Sequence, residues 1–184
     1  MKRILTMLLA LAMVVSVVAC GKKSNDSAND KPVDVLTKVW ATYKDNEKFA
    51  AGGGDAEHTV MDGPGQYDVS DVEGLDAQLG FPQASVALID DAASLVHMMN
   101  ANTFTAGAYY VSDVNEVEML VEDMKDNIMS RQWICGFPDT LIIIGVGDHT
   151  VVSAFGNEDV VETFEEKLLS VYDDAEVLCE EDLD

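Results

Sequence analysis

The sequence predicts an α+β fold: a two-layer ββα-ββα domain in which a four-stranded, mostly antiparallel sheet carries two long helices on one face, with further helices N-terminal to it. Two stretches of residues 94–172 have the pattern of a hairpin, and each is followed by an amphipathic helical pattern. The two helices agree in cap and core positions, because Asp113 corresponds to Asn157 and Leu120 to Phe164. The hydrophobic content of 48% is enough for a core.

Residues 1–19 have the features of a bacterial lipoprotein signal peptide. Lys2 and Arg3 precede an uncharged apolar run, and the small residue Ala19 stands directly before Cys20. The run is shorter than the roughly 20 apolar residues that span a bilayer, which argues against a transmembrane anchor. We therefore predict cleavage before Cys20, attachment of diacylglycerol and a fatty acid such as palmitate to Cys20, and a position on the extracytoplasmic side of the cell membrane.

Residues 20–31 are predicted to be a flexible tether, and residues 32–172 to form a single domain. The tether is rich in Gly, Lys, Ser, Asn and Asp, which is typical of a flexible linker. A first helix is predicted over residues 32–49, because Pro32 suits a first helical turn and apolar residues follow at helical spacing. These residues are Val35, Leu36, Val39, Trp40 and Tyr43.

A glycine-rich loop over residues 50–65 and a short helix over residues 70–79 are predicted next. The loop lacks the preceding strand and following helix of a phosphate-binding loop, so its glycines indicate flexibility. Ser70 and Glu73 form the capping-box pattern of a helix N-terminus. The nearby carboxylates do not fit a calcium loop, because Val69 would take the position of the first ligand.

The second half of the chain contains the repeat. Its predicted elements are strands at 94–100 and 104–111, a helix at 113–131, strands at 140–146 and 150–155, and a helix at 157–172. Helical spacing predicts buried positions at Val117, Leu120, Met124, Val161, Phe164 and Leu168. The apolar run Leu141, Ile142, Ile143 and Ile144 predicts a central strand. Residues 173–184 are predicted to be an acidic C-terminal tail.

Acidic residues dominate the charge of the chain. There are 34 acidic and 11 basic side chains, which gives a formal net charge of −23. After Phe49 the only basic residues are Lys125, Arg131 and Lys167. Nucleic acid is therefore excluded as a partner, because phosphate binding needs a basic surface. The predicted helices also carry like charges at i,i+4, which favours either general acidity or a face that meets cations or a basic partner.

Two thiols, Cys135 and Cys179, remain once Cys20 is lipidated. The segment around Cys135 has a weak similarity to a thioredoxin active-site turn, but Pro138 stands where the second cysteine belongs, which excludes a dithiol mechanism. Export permits a disulfide between Cys135 and Cys179, and the predicted elements would let them meet. A mobile tail and an anaerobic setting favour two free thiols instead, so the pairing stays open.

The three histidines are far apart in sequence. His97 falls within a predicted strand, where a structural role is expected. An alternative is a metal site assembled from the glycine-rich loop and the second hairpin turn, although the spacing matches no metal-binding motif. Its residues would be Asp55, His58, Asp62, Asp148 and His149. We predict no catalytic residues and no cofactor, because none of the well-marked nucleophile, zinc or dithiol motifs is present.

Several of these features together resemble an uncharacterised lipoprotein family, mostly from Gram-positive anaerobes, whose members carry a domain of unknown function. The shared features are the Cys20 motif, the short capped helix, the Met98-Met99-Asn100 turn before residues 104–111, the Ser112-Asp113 cap and the helix over residues 160–169. The similarity covers residues 70–172. It implies the architecture and the localisation, and no catalytic residues. The glycine-rich loop and the scarcity of basic residues depart from the family pattern.

These features predict a membrane-tethered extracytoplasmic lipoprotein that acts as a non-catalytic binding or accessory protein of the cell envelope. Its acidic face, or the sheet face left open by the two helices, would engage a protein, a peptide or a cation. The alternative is a metal-dependent enzyme or cation-binding protein with its site in the glycine-rich loop. The two differ in whether His58 and His149 share a pocket.

Overall fold

A computed structural model describes residues 30–99, 103–134 and 136–183. The helices are α1 (Pro32–Trp40), α2 (Val72–Leu79), α3 (Val117–Met129) and α4 (Glu158–Val171), with 3₁₀ segments at Gln83–Leu88 and Val114–Glu116. The strands are β1 (Ala51–Gly53), β2 (Val60–Met61), β3 (Gly65–Tyr67), β4 (Ile89–His97), β5 (Phe104–Val111), β6 (Thr140–Val146), β7 (Thr150–Gly156) and β8 (Ala175–Asp182). The predicted signal peptide, Cys20, most of the tether and Cys135 lie outside the described residues.

The strands of the described chain form one open antiparallel sheet of eight strands in the order β2-β1-β4-β5-β7-β6-β8, with β3 paired to β4. The two predicted hairpins are present as β4–β5 and β6–β7, and β5 pairs with β7 to join them. The prediction of a four-stranded sheet is wrong. The glycine-rich segment adds β1, β2 and β3 beside β4, and the C-terminal segment adds β8 beside β6.

Helices cover both faces of the sheet, so the domain has three layers instead of the predicted two. Phe104 and Ala106 of β5 belong to the core under α1 and α4. Tyr109 and Val111 of the same strand belong to the core under α2 and α3. Successive side chains of a strand point to opposite sides, and both sets include apolar residues in β5. The strand therefore packs against helices on both faces. The predicted open sheet face is therefore covered, and the two long helices do not share a face.

The strand order explains why α3 and α4 lie on opposite faces. α3 connects β5 to β6, α4 connects β7 to β8, and both connections pass one intervening strand in the same direction along the sheet. β5 and β7 run in opposite directions. Two connections of the same hand must then use opposite faces, and connections between parallel strands are almost always right-handed. Local sequence patterns contain no information about this long-range order.

Most of the predicted core positions are buried in the structure. The buried positions are Leu120, Met124, Leu141, Ile142, Ile143, Ile144, Val161, Phe164 and Leu168. Val117 is only half-buried, because it lies in the first turn of α3. β6 is an internal strand, but it lies next to the edge strand and not at the centre of the sheet.

Several element boundaries differ from the predicted ones. α1 ends at Trp40 instead of residue 49, because the next residues form turns that still pack Tyr43 against the Trp40 ring at 4.7 Å. α2 is capped by Asp71, whose carboxylate accepts a hydrogen bond from the Gly74 amide, and not by Ser70. None of the helices in the described ranges is long and apolar enough to cross a membrane.

The last part of the chain, predicted as an acidic tail, contains β8. β8 pairs with β6 so that Val177 lies beside Ile144 and Cys179 beside Ile143, with one residue bulged between them. Val177 packs with the core under α4, and Cys179 with the core under α3. Val177 and Cys179 pack inward, while Glu176, Glu180, Glu181 and Asp182 lower the hydropathy of the segment.

Candidate functional site

The sheet has two ends, which we name proximal and distal. At the distal end β4 and β7 finish and β5 and β6 begin, and the proximal end is the opposite one. Asp30, the first described residue, accepts a hydrogen bond of 2.7 Å from the Tyr172 hydroxyl. Tyr172 ends α4 beside the proximal end, where Ala175 of β8 pairs with Val146 of β6. The chain that precedes Asp30 therefore joins the domain at the proximal end.

Asp55 organises the glycine-rich segment from inside. Its side chain is 5% exposed. The carboxylate accepts hydrogen bonds from the backbone amides of Glu57, His58 and Asp68, at 2.7 to 2.8 Å, and lies 2.9 Å from the His58 Nδ1. Burial raises the pKa of Asp55, but the hydrogen bonds from His58, Asp68 and Glu57 outweigh burial and lower that pKa to about 2. A buried carboxylate with four hydrogen-bond donors stabilises the local fold and is not free to bind a metal ion.

The other residues of the alternative metal site have separate roles. The His149 Nδ1 bonds to the Val111 carbonyl at 2.8 Å, and its ring stacks on Tyr110 with centroids 5.2 Å apart. The Asp62 carbonyl accepts a hydrogen bond of 2.9 Å from the Trp40 indole. Asp148 lies in the turn between β6 and β7. Within the described residues, no three His, Cys, Asp or Glu side chains form a group that could hold a metal ion.

A cavity of about 320 Å³ opens at the distal end, between the ends of α2 and α3 and the segment that leads into β6. Its apolar wall includes Phe104, Trp133 and Phe155. The rings of Trp133 and Phe155 lie 5.3 Å apart. Gln78, Thr103, Thr105, His97 and Arg131 supply polar groups. A second cavity of about 380 Å³ continues from Trp133, Arg131 and Pro138 towards Asp139 and Leu183. Cavities of this size and mixed lining are typical of ligand sites.

Arg131 is held in place at the mouth of the first cavity. Its Nη1 donates to the Asp76 Oδ1 at 2.7 Å, and its guanidinium lies 5.7 Å from the centre of the Trp133 ring. Asp76 also accepts hydrogen bonds from Asn127 and Gln83. Burial raises the pKa of Asp76, but these hydrogen bonds, with that of Arg131 the strongest, keep it below its usual value. The pair fixes the C-terminal end of α2 to that of α3 and offsets the charge of Arg131.

His97 lines the cavity in a structural role. The Met99 amide donates to its Nδ1 at 3.0 Å, and its ring stacks on Phe49 with centroids 4.7 Å apart. Burial lowers the pKa of His97. An imidazole with one nitrogen occupied by a backbone amide and a lowered pKa is suited to packing more than to proton transfer.

Large apolar side chains are exposed around the two cavities. We define the distal patch as Met99, Met129, Ile134 and Phe137, whose exposed fractions are 58%, 46%, 89% and 70%. Met99 lines the first cavity, and Met129 and Phe137 line the second. Exposed apolar clusters of this kind mark interaction sites, and Met and aromatic residues are enriched in the centres of interfaces.

A shallow groove of about 760 Å³ leads to the distal patch along α3. Met129 lines both this groove and the second cavity. The groove runs between the 3₁₀ segment Gln83–Leu88 and α3, and Asp123 and Asp126 line it. The Asp123 carboxylate accepts a hydrogen bond of 2.6 Å from the Ser85 hydroxyl. The route into the apolar patch is therefore acidic.

The distal patch was not predicted from the sequence. The only sequence signal for it is the run of residues 133–138, in which apolar residues stand between a predicted helix and a predicted strand, next to Gly136 and Pro138. The pairing of Cys135 with Cys179, left open by the sequence, stays open because Cys135 is not among the described residues. Cys179 is half-buried in β8, and burial raises the pKa of its thiol.

Comparison of the chain with protein-family models, with curated proteins and with solved structures finds no match. The resemblance to a lipoprotein family therefore stays a prediction.

Proposed function

We propose that this protein is a lipid-anchored, non-catalytic binding protein of the cell envelope, and that it binds a partner polypeptide with the distal patch. The observation that carries the proposal is the position of the patch: it lies at the end of the sheet opposite the point where the chain enters from the predicted anchor. Such an arrangement suits a domain that presents a binding surface away from the membrane.

The dimensions fit this role. Seven residues of β6 separate the two ends, which corresponds to about 20 Å at the rise of a strand. The predicted tether between Cys20 and Asp30 adds up to about 33 Å when extended. Cys20 is the proposed lipid attachment site on the strength of its sequence pattern, Lys2-Arg3 before an apolar run and Ala19 before the cysteine.

The chemistry of the first cavity favours binding over catalysis. Gln78, Thr103 and Thr105 are hydrogen-bonding side chains that do not titrate near neutral pH. Arg131 is engaged by the Asp76 carboxylate, and His97 is engaged by the Met99 amide. These groups can orient a ligand, whereas acid–base catalysis needs a titrating group within reach of the substrate.

Site-specific photo-crosslinking in intact cells tests the proposal. A photoreactive residue at Phe137 should give discrete adducts with an envelope protein, whereas the same residue at Leu169, which is 37% exposed on α4, should give none. Adducts from both positions, or from neither, would contradict a binding role for the distal patch. In the same cells Cys20→Ala should release the protein from the membrane fraction, and retention would contradict the lipid anchor.

A further inference from the structure

We infer that the partner presents a cationic amphipathic segment, whose basic side chains lie along the acidic groove of α3 and whose large apolar side chain enters the cavity beside Trp133. This inference rests on the proposed function, because it names the chemistry of the segment that occupies the distal patch. The charge of the groove, the shape of the first cavity and the continuity of groove and cavity support the inference.

Charge complementarity selects a basic partner. Lys125, Arg131 and Lys167 are the basic residues after Phe49, and each is already in an ion pair. Their partners are Glu122, Asp76 and Glu47, at 2.7 to 3.0 Å. The negative charge of the groove and of its surroundings is thus not offset by these cations. A segment with Lys or Arg would be attracted and oriented by this field, and an acidic one repelled.

Shape selects a large apolar anchor. The first cavity, of about 320 Å³, has room for one Leu, Phe or Trp side chain against Trp133 and Phe155. Binding energy in interfaces concentrates where such an anchor fills a pocket. The Asp76 carboxylate already offsets the charge of Arg131, which weakens the attraction of this cavity for an anionic group.

The groove and the cavity follow one another. Asp126 and Met129 line the groove, Met129 and Trp133 line the second cavity, and Trp133 lines both cavities. A single segment can therefore contact the carboxylates of α3 and place an apolar side chain beside Trp133. Met129, with its flexible thioether, lies at the junction.

A membrane surface is a less suitable occupant of the distal patch. An anionic bilayer would repel the acidic groove, and the chain joins the predicted anchor at the proximal end. The acidic charge of the groove and the distal position of the patch therefore favour a polypeptide over a membrane surface.

The test uses the lipidated protein in nanodiscs of zwitterionic lipid, with empty nanodiscs as the blank. Fluorescein-labelled peptides of sequence KKFLKK and EEFLEE are titrated and followed by fluorescence anisotropy. We expect KKFLKK to bind at least about tenfold more tightly than EEFLEE, and its affinity to fall several-fold between low and physiological salt. A peptide KKGGKK, which lacks the anchor, should lose about tenfold or more.

Matched variants assign the binding to the proposed surface. Ile134→Ser with Phe137→Ser should weaken KKFLKK about tenfold, whereas Leu169→Ser with Val114→Ser, at exposed positions on α4 and ahead of α3, should not. Asp123→Asn with Asp126→Asn should weaken it several-fold and flatten the salt dependence. Glu162→Gln with Glu166→Gln, which removes two charges from α4, should change neither.

The outcomes separate the two proposals. Equal binding of KKFLKK and EEFLEE that still depends on Ile134 and Phe137 overturns the cationic inference and leaves the distal patch as a binding surface. Binding that ignores both the Ile134–Phe137 pair and the Asp123–Asp126 pair overturns the inference and the proposed function together. A photoreactive residue at position 137 that labels nanodisc lipid instead of bound KKFLKK would make the membrane the occupant and overturn the inference.

Discussion

Two segments of this protein differ in what holds them and in what they expose. The glycine-rich segment that contains β1, β2 and β3 is polar in sequence, and the buried Asp55 carboxylate accepts hydrogen bonds from three of its backbone amides. After α3, the chain is held by the Asp76–Arg131 pair and by ring packing of Trp133, and Ile134 and Phe137 are exposed. Polar residues thus build structure in the first segment, and apolar residues form a surface in the second.

This difference reverses the usual expectation that polar loops carry function and apolar residues carry stability. A carboxylate and a histidine in a glycine-rich loop suggest a ligand-binding site, yet the Asp55 carboxylate already bonds to the His58 ring and the Asp68 amide. Large apolar side chains suggest a core, yet Ile134 is 89% exposed. Stability and binding should therefore respond oppositely to substitutions in the two segments.

The largest effect is expected from Asp55→Ala. It leaves three backbone amides in the glycine-rich segment without their acceptor, so the free energy of unfolding should fall by about 3 kcal/mol. Denaturant unfolding followed by circular dichroism measures this change. Asp90→Ala, an exposed carboxylate at the start of β4 near His58, is the control and should change stability by less than about 0.5 kcal/mol. Equal effects of the two substitutions would show that the Asp55 carboxylate does not stabilise the glycine-rich segment.

Acid should disturb the same segment, to a smaller degree. The pKa of Asp55 is about 2 in the folded protein against an ordinary value of 3.8, so its contribution is present above about pH 4 and is lost as the pH falls through about 2. The hydrogen-exchange protection factor of the Asp68 amide, which corrects for the intrinsic rate at each pH, should therefore fall over this range before the protection factors of β5 and β7 do. A uniform loss of protection across the sheet would contradict a local effect.

His58 should respond in the opposite pH direction. The hydrogen bond with Asp55 raises the pKa of His58, so its contribution is complete below the ordinary value of 6.5 and is lost as the pH rises through the raised value. NMR titration of the His58 ring measures this pKa. In Asp55→Asn the pKa of His58 should decrease, while the pKa of His97, which burial lowers, should not change.

A moderate loss is expected from Trp133→Ala. The half-buried ring packs on Phe155 and under Arg131, so its removal should lower the free energy of unfolding by about 2 kcal/mol, less than for a fully buried aromatic residue. Trp133→Phe keeps an aromatic contact with Phe155 and should lose less than half as much. A Trp133→Ala protein with unchanged stability would mean that residues 131–138 are not held by ring packing.

The smallest effect on stability is expected where the effect on binding is largest. Ile134→Ser with Phe137→Ser removes side chains that are mostly in water, so the melting temperature should change by no more than about 2 °C. Differential scanning calorimetry makes the measurement. A loss comparable with that of Trp133→Ala would assign both residues to the core and remove the basis for the distal patch.

The sequence predicted what depends on local periodicity and missed what depends on partners distant in the chain. The hairpins β4–β5 and β6–β7 and the buried faces of α3 and α4 follow from alternation and helical spacing. The opposite placement of α3 and α4 depends on strand order, which no single segment contains. β8 was not predicted because its acidic residues are unfavourable in strands, and the strand forms only through its pairing with β6.

The candidate site was harder to predict than the fold. Residues 133–138 look apolar enough for a core, and only the structure distinguishes Trp133, which packs on Phe155, from its exposed neighbours Ile134 and Phe137. The cavity also draws on α2, β4 and β7, which are distant in sequence. Conversely, Asp55 looked available because the Asp68 amide, which donates to its carboxylate, lies 13 residues further along the chain.

The acidic pattern of β8 bears on how the protein behaves at high concentration. β8 is the outermost strand on its side of the sheet, and its outer edge would be a template for pairing with a second molecule. Glu176, Glu180, Glu181 and Asp182 would bring like charges together in such a pair. On the opposite border β2 has only two residues, too few to seed a continuous ladder. Both borders of the sheet thus resist strand pairing between molecules, even at high protein concentration.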